Sequence, residues 1–70
     1  MPAYPSVDDS FARLRRSGWS VGEAAFAGGG RLVWQVDGQN GENLIRARGD
    51  TQAEAWHRAC QQAEAVGMVR

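Results

Sequence analysis

Hydrophobic and polar positions along the chain change period twice, dividing it into helix, strands and helix. Val7, Phe11 and Leu14 recur at i, i+4 and i+7, the spacing of one helical face. Ser6 with Asp9 forms a capping box, Asp8 and Asp9 suit the positive end of the dipole, and Gly18 closes the helix after Arg15 and Arg16. Residues 19–26 read as a first strand. Trp19 and Val21 alternate there with Ser20 and Gly22, although Ala24-Ala25 blurs the phase. Gly28-Gly29-Gly30 reads as a flexible hairpin loop, since no Lys-Ser/Thr and no helix start follow it, as a phosphate loop requires.

Residues 31–37 give the clearest strand, with Leu32, Trp34 and Val36 facing one way and Val33 and Gln35 the other. Asn40-Gly41 is the preferred pair for a tight type I′ turn, and residues 42–48 return from it. On that turn Gln39 pairs with Glu42, Val36 with Ile45 and Trp34 with Ala47. A four-residue loop over 38–41 keeps the same parity, so either loop puts Trp34, Val36, Ile45 and Ala47 on one face. The opposite face then carries Val33, Gln35, Leu44, Arg46 and Arg48, the candidate interaction surface.

The last helix opens on Gly49-Asp50-Thr51, where Thr51 and Glu54 form a capping box, and Gly67 ends it after Val66. At about 100° per residue, Ala53, Ala55, Trp56, Ala59, Cys60, Ala63 and Val66 share one side. Glu54, His57, Arg58, Gln61, Gln62 and Glu64 share the other. An alanine-lined face with Trp56 as its one large anchor suits close packing on a sheet. The expected fold is α+β in the order α-β-β-β-α, a three-stranded antiparallel sheet with both helices on one face. Residues 1–70 form one domain, with 1–5, which hold both prolines, as a loose lead-in.

A 70-residue domain buries only about 60% of its unfolded surface. The single Cys allows no intrachain disulfide, so three Trp and two Phe are the expected compensation. The formal net charge of zero argues against an electrostatically driven polyanion binder. All eight basic residues are Arg, which fits GC-rich coding better than phosphate recognition. No apolar run approaches the roughly 20 residues of a membrane span, and the start lacks the basic and apolar regions of a signal peptide. The expected location is cytoplasmic.

Catalytic machinery is not visible. His57 and Cys60 lie i, i+3 on the last helix, but Cys60 is on the core face and His57 on the polar one. Two such ligands are too few for zinc. The carboxylates are scattered over caps and turns, with no pair sharing a pocket. The expectation is a non-enzyme with no cofactor and no metal.

The element order resembles the double-stranded-RNA-binding domain. In that family lysines at the opening of the last helix grip phosphates. Here those positions fall on Gln52, Ala53 and Trp56, none of them basic, so the resemblance implies the fold and counts against the RNA function. Gly49, Asp50, Thr51, Glu54 and Ala55 resemble the helix opening of HicB-type antitoxin domains, which implies a small toxin as partner. Gly18 to Glu23 and Val33 to Val36 are similar to stretches of small bacterial domains and imply no activity. Together these point first to a non-catalytic interaction module meeting a protein, or a second copy as a homodimer, through the open sheet face. The alternative is an Arg-mediated nucleic-acid binder using Arg31, Arg46 and Arg48. A second basic patch, Arg13, Arg15 and Arg16, reads as a solvated helix end.

Overall fold

A computed structural model describes residues 4–67. The order is α1 (Val7–Arg16), β1 (Ser20–Gly28), β2 (Arg31–Asn40), β3 (Asn43–Gly49) and α2 (Gln52–Ala65). The three strands form one antiparallel sheet in the order β1-β2-β3. α2 lies across β2 and β3, and α1 packs on α2 and on β1. This is the expected α-β-β-β-α arrangement. Among the described residues, no helix is long and apolar enough to cross a membrane.

Both helices start at the expected caps. The Ser6 hydroxyl accepts from the N–H of Asp9, and the Thr51 hydroxyl from that of Glu54. The return half of the second box differs from expectation. Glu54 Oε1 accepts from the N–H of Asp50 rather than that of Thr51, so the loop before the helix is held as well as the cap. Tyr4 ties the described part of the lead-in to α2, its hydroxyl donating to Glu54 Oε2 and its ring lying 5.3 Å from that of His57.

The glycine run at 28–30 is not a flexible loop. Gly28 and Arg31 pair directly, and Gly29 and Gly30 form a two-residue turn with φ of +59° and +77°. Positive φ at both central positions is the type I′ geometry, whose twist matches that of paired strands.

The second hairpin is shifted from the expected register. Asn40 pairs with Asn43, Gly38 with Ile45, Val36 with Ala47 and Trp34 with Gly49, so the loop is Gly41-Glu42. Side chains explain the shift. Asn40 has no positive φ and stays in the strand, where its amide donates to the Ser17 carbonyl at 3.0 Å. Ile45 packs over Gly38, where an added Cβ would lie 2.9 Å from Ile45 Cγ1. Gly41, with φ +62°, takes the first turn position. Because the slip is by an even step, every side chain keeps its predicted face.

The core contains Leu14, Trp19, Val36, Ile45, Ala47, Ala55, Trp56, Ala59, Cys60 and Ala63. Two indoles pin it rather than one. Trp19, at the joint between α1 and β1, is only 1% exposed, and its backbone N–H donates to the Leu14 carbonyl. Trp56 meets Phe11 of α1 edge-on at 5.7 Å and donates through Nε1 to Glu23 of β1 at 2.8 Å. Trp34 is only half-buried and Ala53 likewise. Val66, expected on the core face, is exposed because it lies beyond the last turn of α2.

Candidate functional site

The register puts Ser20, Gly22, Ala24 and Phe26 of β1 on the face away from α2. Beside them on that face lie Val33, Gln35 and Asp37 of β2 and Leu44, Arg46 and Arg48 of β3. All five residues expected on this surface, Val33, Gln35, Leu44, Arg46 and Arg48, are there. Their exposures differ widely. Leu44 is 72% exposed and Arg46 and Arg48 are exposed; Val33 is half-buried and Gln35 only 6% exposed.

Gln35 is covered because it is the hinge of a polar ladder across the middle of the face. Its Oε1 accepts from Arg48 Nε at 2.8 Å, and its Nε2 donates to Asp37 Oδ2 at 3.1 Å. The other Asp37 oxygen accepts from Arg46 Nε at 2.6 Å. The bond from Arg46, foremost, holds the Asp37 carboxyl below its ordinary range, with the Gln35 amide helping and partial burial opposing. Both arginines are therefore committed to partners within the sheet. Arg31 is likewise paired with Asp50, Arg13 with Glu64 and Arg58 with Glu54.

Apolar surface remains at opposite corners. Phe26, 49% exposed, stands beside Val33 at the Gly29-Gly30 end. Leu44 stands at the other end, where a shallow groove is lined by Ser20, Asp37, Gly38, Gln39, Ile45 and Arg46. Phe26 and Asp37 were not among the expected surface residues. The doubled Ala24-Ala25 hid the phase of β1, and Asp37 read as a strand end. Recognising Gly29-Gly30 as the turn would have set Phe26 against Val33 from the sequence.

Gln62 also has a role other than the solvated one expected of the polar helix side. Its amide bonds both backbone groups of Arg46, taking the N–H at 2.9 Å and giving to the C=O at 2.6 Å. His57 and Cys60 have different neighbours, His57 lying against the Tyr4 ring. Cys60 is buried and its thiol, pushed up chiefly by that burial, points to the Ser10 carbonyl at 3.6 Å. Among the described residues, no three His, Cys, Asp or Glu side chains converge as metal ligands. No protein-family model, curated protein or solved structure matches the chain.

The depressed carboxyls predict a direction for acid stability. Asp37 is lowered by Arg46, and Glu54 is lowered first by the Asp50 N–H and then by the Tyr4 hydroxyl. A carboxyl with a depressed folded value contributes stability that is fully present above the unfolded value, about 4. That contribution is lost as pH falls through the folded value. The urea midpoint is expected to be level near neutrality and to fall below about pH 4. Replacing both groups (Asp37→Asn with Glu54→Gln) should flatten that fall, and an unchanged profile would contradict the assignment.

Proposed function

We propose that the domain is a non-catalytic interaction module that binds a protein partner through the open face of its sheet. The observation that carries this is Leu44. It is a large apolar side chain 72% exposed beside a groove, on a face where Arg46 is ion-paired with Asp37 and Arg48 is hydrogen-bonded to Gln35. Burying such a residue against a partner removes apolar surface from water without stranding a charge, since Arg46 and Arg48 keep Asp37 and Gln35. A small toxin is the partner class implied by the likeness of Gly49 to Ala55 to antitoxin domains. Nucleic acid fits less well, because Arg46 and Arg31 are already paired with the carboxylates of Asp37 and Asp50 and the formal net charge is zero.

Immobilised wild-type domain and Leu44→Asp should retain different proteins from the same lysate. The proteins lost by Leu44→Asp are expected to rebind in purified form, whereas identical capture by both would end the proposal. Titration with labelled duplex RNA and DNA covers the alternative. Binding that tightens as salt falls and weakens in Arg46→Ala would replace the protein partner with a nucleic acid.

A further inference from the structure

The two edges of the sheet are finished differently. On β3, Gln62 satisfies both backbone groups of Arg46, and Arg58 Nη1 donates to the Arg48 carbonyl at 3.0 Å. These are the residues that strand alternation, counted from the Asn40–Asn43 pair, turns outward. A helix side chain has thus taken the place of a fourth strand. The same counting from the Gly28–Arg31 pair turns the N–H and C=O groups of Ala27, Ala25, Glu23 and Val21 away from β2. Among the described residues, no hydrogen bond from elsewhere in the fold meets those groups.

β1 carries few of the usual protections of a free edge. It contains no Pro, Lys or Arg. Its one charge, Glu23, is an inward-pointing one, but it is already satisfied within the fold, where Oε1 accepts from Trp56 and from Gln52, each at 2.8 Å.

We propose that β1 pairs antiparallel with β1 of a second copy, about a two-fold axis at Ala24, joining two sheets into one. The strand is complementary to itself. Full overlap of Ser20–Gly28 with its own copy sets Val21 against Ala27, Glu23 against Ala25 and Gly22 against Phe26. The outward-facing residues therefore meet one another, and their pairs can exchange about eight N–H···O bonds. No like charges oppose, since each Glu23 faces an alanine. Phe26, half-exposed, gains the bare backbone of Gly22, above which there is open space. At the axis Ala24 faces Ala24, small enough for the short Cα separation of a non-hydrogen-bonded pair. The proposal uses the backbone of one edge and is independent of the partner surface at Leu44.

Sedimentation velocity of the full chain from about 1 µM to about 1 mM should show a concentration-dependent shift from monomer to dimer. Exchange of the Val21, Glu23, Ala25 and Ala27 amides should slow over the same range. Ala25→Pro removes an outward N–H and leaves the β2 ladder intact, and is expected to weaken association at least about 10-fold. Ala24→Lys and Ala24→Glu place like charges at the axis, so each alone should remain monomeric, and an equimolar mixture should dimerise. That charge-swap pair decides the matter even if Ala25→Pro unfolds. A strict monomer at about 1 mM would overturn the proposal. So would a dimer indifferent to the charge at position 24, or one abolished by Leu44→Asp with no loss in the Ala24 variants.

Discussion

Trp19→Ala is expected to be the most damaging side-chain truncation in the protein, costing about 3–5 kcal/mol. The indole is 1% exposed and belongs to the core that joins both helices to the sheet. Emptying that volume removes the transfer free energy of the ring and leaves a cavity that the fold can only partly close. Stability of folded domains starts near 5 kcal/mol, and a domain this small has little margin above that. Thermal unfolding followed by circular dichroism should show a midpoint lowered by roughly 15–30 °C, or no cooperative transition. Trp34→Ala is the comparison, because Trp34 is the same side chain half-buried at the margin of the core. Equal losses in the two variants would mean that Trp19 is not the pin described here.

Gly49→Ala comes next, and its cost is steric. β3 passes directly under the first turn of α2, where a Cβ on Gly49 would lie 2.7 Å from the backbone nitrogen of Ala55 and 2.9 Å from Glu54 Cβ. Backbone has nowhere to swing, so α2 must lift from the sheet, and overpacking of this kind costs about 3 kcal/mol or more. Gly22→Ala is the control: nothing lies within 4 Å of that position, and an exposed strand residue should change stability by no more than about 0.5 kcal/mol. Urea midpoints separate the two, and coincident curves would refute the close approach. The same contact gives the Gly49 to Ala55 stretch a structural role. Its glycine lets the strand run under the helix, and Thr51 and Glu54 then cap that helix.

The two proposed contacts would use different parts of one sheet. Leu44 and its groove belong to the face opposite the helices, whereas the unpaired backbone of β1 belongs to the edge. Pairing through β1 would leave Leu44 free in each copy and set two such surfaces on one continuous sheet. A partner with two matching sites would then gain from simultaneous engagement.

Local chemistry made much of this protein legible before its structure. Caps at Ser6 and Thr51, the alternation of Leu32 to Val36 and the apolar stripe of the last helix define the elements and their faces. Each depends on residues close together in the chain. The five residues of the open face followed from parity alone, since a slip of the hairpin by an even step leaves parity untouched. What parity does not decide is which pairs meet. That choice went to side-chain contacts, with Asn40 bonded to Ser17, distant in sequence, and Ile45 seated over Gly38 across the hairpin. Tertiary packing also buried Trp19 more completely than Trp34, turned Gln62 from a solvated helix residue into the cover of the β3 edge, and bound Arg46 and Arg48 into a ladder with Gln35 and Asp37. Sequence settled the elements because their signals are short-range. Only the assembled fold could settle which polar groups are used up and which are left for a partner.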